Sequence, residues 1–314
     1  MTKKRALILG IGGQDGSYLA DLLLDKGYEV HGLYRHSSYD NLKRIEHCRG
    51  RLTLHQGDIT DIQSVKNVFL DCSPDEIYNV ADQDHIGWSL KTPSVSWDVT
   101  AKAPAMILEM LKDYDRDIRF FQPVSSTIFG DASAPQDEET PFNPMSPYAV
   151  AKAAVYHAAR YYRQVYGMFV AVGIMYNHDS PRRCNQGYLL HEICSSVKRV
   201  LRGEQSIVEV GDPEMTVDIG YAEDYMVAAW RMLQMDEPGD YVIASGEPMS
   251  INDLVLKAMY VVGVAAPVVS NPELLRPGKQ PRLVGDASKA KDGLGWWPRT
   301  TLHGLIASIM EVIL

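Results

Sequence analysis

The sequence predicts an α/β protein: a Rossmann doubly wound parallel sheet with a smaller C-terminal α/β substrate-binding lobe. Three observations predict it. Short apolar runs alternate with amphipathic helical stretches through the first 175 residues, the pattern of a parallel sheet covered on both faces. A glycine-rich turn, GIGGQDG at residues 10–16, joins the first apolar run to the first helical stretch. After residue 176 the regular alternation gives way to polar loops and shorter segments.

Arg5 to Leu9 is the first strand. Gly10, Gly13 and Gly16 then fit G-x-x-G-x-x-G, with Gln14 and Asp15 inside the same turn. Glycine permits the tight strand-to-helix turn and lets a pyrophosphate approach the backbone at a helix N-terminus. The second strand, Tyr28 to Tyr34, ends at Arg35 and His36, with Lys43 and Arg44 close behind. An acid at this point binds the ribose 2′-hydroxyl of NAD, whereas Arg suits the extra phosphate of NADP. The third strand, Leu52 to Gln56, leads into Gly57-Asp58-Ile59, which puts Asp58 within reach of an adenine amino group. The fourth, Glu76 to Val80, runs into Ala81, Asp82, Gln83, Asp84 and His85. The candidate cofactor contacts are therefore Gly10, Gly13, Gln14, Asp15, Gly16, Arg35, Asp58, Ile59 and Ala81. One helical stretch from Pro93 to Leu111 precedes a fifth strand, Ile118 to Val124, and Phe169 to Met175 closes this half.

The chemistry is carried between Pro123 and Lys152. Ser125 and Ser126 stand at the end of the fifth strand, and Tyr148 and Lys152 lie four residues apart at the start of a helix, on one face. An ammonium one turn from a phenol stabilises the phenolate and lowers the phenol pKa. With Ser125 holding a substrate oxygen, Tyr148 moves a proton while a hydride moves elsewhere.

Beyond Tyr176 the chain reads NHDSPRRCNQGYL, in which Arg182 and Arg183 form a candidate phosphate clamp. A helix from Leu189 to Leu201 and a strand from Ser206 to Val210 follow. The helix from Ala222 to Met235 and the strand from Tyr241 to Ala244 return to the large sheet. Ser250 caps a further helix, and Trp296 and Trp297 read as packing residues. Residues 1–175, joined by 219–245, form the expected NADP-binding domain. Residues 176–218 and 246–314 form the expected smaller, loop-rich lobe, placed to close over a ligand.

Composition narrows the class. The 314 residues suffice for one large or two unequal domains, and 46% hydrophobic with 23% charged residues is ordinary for a globular protein. A net charge of -9 argues against a general nucleic-acid binder, though not against a small anionic ligand in a basic pocket. No apolar run reaches membrane-spanning length. MTKKRALILG is too short an apolar run for a signal peptide and lacks a cleavage site. Cys48, Cys72, Cys184 and Cys194 form no C-x-x-C pair, which supports neither a metal site nor a redox motif and fits a cytoplasmic protein.

Read together and in order, GQDGSYLADLLLDKGYEVHGL, RIEH, GDITD, SPYAVAKA, YNHDSPRR, AEDY, VIASGE and RPGKQPRLVGD resemble an extended short-chain dehydrogenase/reductase. Within that group they resemble the GDP-mannose 4,6-dehydratases. The resemblance implies a tightly bound NADP and a C-terminal domain for a GDP-linked sugar. It also implies oxidation at C4, loss of water across C5 and C6, and return of the hydride to C6. By the same resemblance Tyr148 and Lys152 are the catalytic pair and Ser125 the hydroxyl residue, usually Thr. Asn177 and Arg183 fall at substrate-loop positions, Arg276 at a pyrophosphate-binding position, and pairing through the Tyr148 helix gives a homodimer or homotetramer.

Three departures bear on the reaction. Thr127 stands where the family carries a Glu two residues after the hydroxyl partner. A Thr hydroxyl does not ionise near neutral pH, and losing a positioned acid/base group costs about 10²- to 10⁴-fold in rate. Asp82 and Asp84 face roughly the same pocket in this fold and are the candidate replacements. Glu192 stands where the family commonly has Lys, and Val217 where it has Arg; a carboxylate accepts from a guanine edge but repels a phosphate. The residues thus leave open a 4,6-dehydratase, a 4-epimerase or 4-keto reductase, and an NADP-binding homologue without catalysis.

Overall fold

The apolar runs become the strands of one large sheet. The computed structural model describes residues 3–114, 117–183, 187–275 and 282–313. The first half runs β1 (Arg5–Leu9), α1 (Gln14–Asp25), β2 (Glu29–Tyr34), β3 (Thr53–Gln56), α2 (Ile62–Cys72) and β4 (Glu76–Asn79). It continues through α3 (Ile86–Lys91), α4 (Pro93–Trp97), α5 (Ala103–Leu111), β5 (Arg119–Ser125), α6 (Pro147–Tyr166) and β6 (Val170–Met175). The second half runs β7 (Asn177–Asp179), α7 (Leu189–Leu201), β8 (Val208–Val210), β9 (Thr216–Tyr221), α8 (Ala222–Met232) and β10 (Asp240–Ile243). It ends with β11 (Pro248–Ser250), α9 (Ile251–Val262), β12 (Val268–Ser270), α10 (Ser288–Leu294) and α11 (Leu302–Ile313).

Seven strands form a parallel sheet in the order β10-β6-β5-β4-β1-β2-β3. Successive strand residues point to opposite faces, so each strand feeds two cores. Leu7, Leu9, Ile77, Phe120 and Val124 pack on one face with α2, α5 and α6 residues. Ala6, Ile8, Tyr78, Phe121 and Ala171 pack on the other with α1 and α8, where Trp296 also lies. The strand order reverses at β1, between β2 and β4, which opens a crevice at the carboxyl ends of the strands. Residues 10–16 and Ala81 sit at that reversal.

A third core, with Leu190, Val197, Val217, Leu254 and Ile306, lies among α7, α9 and α11. Small sheets β11-β9-β7 and β12-β8 belong to this part. Of their five strands only β8 stands in the sequence pattern. Residues Thr216–Tyr221 read T-V-D-I-G-Y, and the alternation hides because Asp218 is fully buried. Its carboxylate accepts from the backbone of Ser245 and Gly246 and from the Ser245 hydroxyl. A buried, fully bonded acid looks like a loop residue in a one-dimensional reading.

Two other differences touch the site. The single helix expected from Pro93 to Leu111 contains a π-helical turn, Asp98–Lys102, between α4 and α5. Pro104, just after it, has no N–H to continue the i→i−4 ladder, a local signal that apolar periodicity alone does not register. Trp296 packs as expected, 3% exposed with its indole N–H on the Asp224 carbonyl at 2.8 Å, whereas Trp297 is 55% exposed. Among the described residues no helix is long and apolar enough to cross a membrane.

Candidate active site

The glycine turn is shaped by lack of space. Gly10 has φ +87°, and a Cβ there would lie 2.8 Å from the Ala81 backbone. A Cβ on Gly16 would lie 2.4 Å from the Gly10 carbonyl oxygen. Gly13 precedes α1, so the free N–H groups of the first helical turn face the crevice. Gln14 and Asp15, expected to touch a cofactor, are also bonded to the C-terminal part. The Ser180 hydroxyl donates to Gln14 Oε1 at 2.8 Å, and His178 Nε2 meets Asp15 Oδ2 at 3.0 Å. Burial works to raise Asp15, but His178 and Arg183 outweigh it and hold the acid at about 2.

Arg35 and Asp58 line one cleft of about 420 Å³ with Thr60, Val95, Asp98 and Lys102. Asp58 accepts from the Thr60 N–H at 2.9 Å and hydroxyl at 2.7 Å. The Ile59 side chain is in the core, 8% exposed, which leaves only its backbone for a ligand. Arg44, near the same end, donates to the Gly12 carbonyl at 3.0 Å and braces the turn. Narrow glycine turn, helix N-terminus and a cleft with two cations fit a dinucleotide. A larger cavity of about 530 Å³, lined by Ala244, Arg282, Lys291 and Trp297, contains none of the residues expected to do chemistry.

Ser125 at the end of β5 and Tyr148 and Lys152 on the first turns of α6 come together. Ser146 caps α6, accepting from the Ala149 N–H at 3.1 Å, and Pro147 starts it, which fixes where Tyr148 points. Tyr148 is 6% and Lys152 4% exposed. Lys152 Nζ donates to the Pro123 carbonyl at 2.9 Å and pairs with Asp82 Oδ2 at 2.7 Å. The Tyr148 hydroxyl donates to the same Asp82 oxygen at 3.3 Å. Thr127, at the position of the missing acid, donates its hydroxyl to Ser125 Oγ at 3.0 Å.

The electrostatics differ from the expectation that Lys152 lowers the Tyr148 pKa. Burial pushes the phenol well above its usual range, and the carboxylates of Asp82 and Asp84 push it further; a hydrogen bond from Ser125 works the other way. Lys152 is engaged by Asp82, so its charge does not stand alone beside the phenol.

Asp84 turns elsewhere. It accepts from the Tyr188 hydroxyl at 2.7 Å and faces Arg183 at 3.6 Å. Arg183 also pairs with Asp179 at 3.0 Å and lies over the Tyr188 ring, 3.8 Å from its centroid. Arg182 points the opposite way, onto Asp21 at 2.5 Å and Ser17 at 3.2 Å, so the two arginines do not clamp one phosphate. Asn177 is exposed at the start of β7. Glu192 accepts from the Gly187 N–H at 2.8 Å and closes its own loop. Val217 is 3% exposed in the lobe core, so it contacts no ligand. Arg276 lies outside the described residues. Thr100 had no sequence signal at all; the π turn aims its hydroxyl at Asp82 Oδ1, 2.5 Å away.

A seven-stranded Rossmann sheet with a glycine turn at its switch point and Ser, Tyr and Lys at one crevice defines an extended short-chain dehydrogenase/reductase. Within that class, the profile of the family described as GDP-mannose 4,6 dehydratase matches residues 7–309. The GDP-mannose 4,6-dehydratase sdnI of Sordaria araneosa is 38% identical over 98% of this chain, which spans 60% of that relative's own length. GDP-mannose 4,6 dehydratase 1 of Arabidopsis thaliana is 37% identical over 98% of this chain and 89% of the relative. The structure of RMD from Pseudomonas aeruginosa complexed with NADPH shares the fold, with a TM-score of 0.81 at 21% identity over 99% of each chain. The chain belongs to the GDP-mannose 4,6-dehydratase family, a family of enzymes.

Proposed function

We propose that this protein modifies a GDP-linked hexose by transient oxidation at C4, using NADP. The observation that carries the reading is the convergence of Ser125 and Lys152 on Tyr148. When bound, the nicotinamide accepts the C4 hydride and later returns it. Ser125 holds O4 through its hydroxyl. Tyr148 exchanges the O4 proton. Lys152 holds the nicotinamide ribose and screens the carboxylate beside the phenol. Gly10, Gly13 and Gly16 with the α1 N-terminus seat the pyrophosphate, Asp58 meets the adenine, and Arg35 meets the 2′-phosphate. Asn177 and Arg183 meet the sugar nucleotide. Residues 1–175 with 219–245 carry the cofactor, and 176–218 with 246–314 carry the nucleotide sugar. We also infer a cytoplasmic protein that pairs through the exposed face of α6.

Family membership favours a 4,6-dehydratase. A second reading, 4-epimerase or 4-keto reductase, is favoured by Thr127, which supplies a hydroxyl and no carboxylate. Incubation with NADP and GDP-mannose, with products separated by mass, tests both. A product lighter by one water is expected for the dehydratase, and an isomer of unchanged mass for the epimerase. Tyr148→Phe is expected to abolish turnover and spare NADP binding. Undiminished turnover in that variant would remove Tyr148 from the mechanism and sink the C4 reading.

A further inference from the structure

We propose that Asp82 is the base of the hydride-transfer step, taking the C4 hydroxyl proton through Tyr148. The inference rests on the reading of Tyr148 as the residue that meets that hydroxyl.

The carboxylate is held in one orientation. Oδ1 accepts from the Thr100 hydroxyl at 2.5 Å and the Gln83 N–H at 2.8 Å. That leaves Oδ2 aimed at Lys152, 2.7 Å away, and at the Tyr148 hydroxyl, 3.3 Å away. The side chain is 13% exposed, so solvent does little to screen it. The groups that face it are Tyr148 and Lys152 from α6, Thr100 from the π turn, and Gln83 and Asp84 from its own loop. Asp84 is directed outward to Tyr188 and Arg183. Thr127 bonds Ser125 and offers no carboxylate.

This arrangement inverts the usual pairing of a phenol and an ammonium. The Lys152 ammonium is paired with the carboxylate, so it does not favour a Tyr148 phenolate as it would alone. Tyr148 therefore rests as a phenol with its proton already directed at an acceptor. Such a phenol acts as a base only if it loses one proton as it gains another. In the forward step the O4–H bond breaks and its proton goes to the Tyr148 oxygen, whose own proton passes to Asp82 Oδ2. The C4–H bond breaks with its electron pair, and the hydride reduces the oxidised nicotinamide cofactor. C4 becomes a carbonyl and Asp82 a neutral acid. On reduction the same proton returns through Tyr148.

Asp82→Asn tests the proposal, because the amide keeps the volume and still accepts from Thr100 but takes no proton. Two readouts are needed. The first is the rate of nicotinamide reduction by GDP-mannose across neutral pH. It is expected to fall about 10²- to 10⁴-fold in Asp82→Asn, with the residual rate climbing with pH as the phenol ionises unaided. The second is the titration of the Tyr148 ring followed by carbon NMR of labelled tyrosine in the cofactor-free protein, assigned by Tyr148→Phe. Its midpoint is expected to move to lower pH in Asp82→Asn. An equal or faster rate would make Asp82 a mere counter-ion for Lys152 and overturn the proposal, as would an unmoved Tyr148 titration. Asp82→Ala repeats both measurements if the Asn variant does not fold. Failure of the C4 reading looks different: Tyr148→Phe then keeps its turnover whatever Asp82→Asn does.

Discussion

Tyr148 and Lys152 meet because an α-helix brings residues four apart onto one face, and Ser146 and Pro147 set where that helix begins. Their electrostatics come from a residue on a different element. Burial raises the phenol and Asp82, which also takes the lysine's charge, raises it further, where the spacing motif alone suggests an acidic tyrosine. Arg35 is a simpler case. It follows β2, lines the cleft with Asp58, and its position depends only on where β2 ends. Arg35→Ala is expected to weaken NADP binding at least 10-fold while leaving NAD binding nearly unchanged, because only the 2′-phosphate distinguishes them. Fluorescence titration of the purified protein with each dinucleotide checks this. Equal losses for both would remove Arg35 from the 2′-phosphate contact.

At the scale of elements, α1 and β7 are joined by a charge pair. His178 Nδ1 donates to the Tyr176 carbonyl at 2.8 Å and Nε2 donates to Asp15 at 3.0 Å, which needs the doubly protonated ring. Burial works against that charge, but Asp15 overcomes it and the His178 pKa is raised. A raised histidine contributes stability that is full below its ordinary 6.5 and is lost as pH rises through the folded value. Asp15, held at about 2, contributes fully above its ordinary 3.8 and loses that contribution as pH falls through about 2. The strut is thus whole between pH 3.8 and 6.5. Melting temperature against pH is expected to show a decline on the alkaline side of this window that His178→Gln lacks. Parallel curves for the two proteins would mean that the pair does not couple α1 to β7.

At the scale of the whole molecule, the helices beside the site present an apolar face. Val150, Tyr161, Val165 and Tyr166 on α6 are 44–61% exposed, and Trp88, Leu90, Val95 and Trp97 on α3 and α4 are 47–51% exposed. A monomer seldom leaves so many large apolar side chains together in water. The pairing through α6 proposed above would cover the face. Tyr161→Asp combined with Val165→Asp is expected to convert the protein to monomers in sedimentation velocity with its melting transition retained. An unchanged sedimentation coefficient would exclude this face as the interface.

The sequence by itself determined the parallel sheet, the glycine turn at its switch point, and the Tyr148–Lys152 pair. Each of these is written in neighbours along the chain: a strand's apolar run, a turn's need for space, a helix's four-residue repeat. Only the tertiary structure decided what surrounds them. Asp82 on the β4 loop, Thr100 on the π turn and Lys152 on α6 meet because the sheet stacks their elements side by side, and no local pattern records that stacking. The same holds for Arg182 and Arg183, adjacent in sequence and drawn apart by Asp21 and Asp179. It holds for Val217, which a family position marked for the ligand and the lobe core took instead. Strand β9 stayed illegible because Asp218 is buried inside it, bonded to a loop far along the chain. Local periodicity encodes which face a residue takes, while the partner it finds there depends on contacts between distant segments, and those partners set the charge and proton positions at this site.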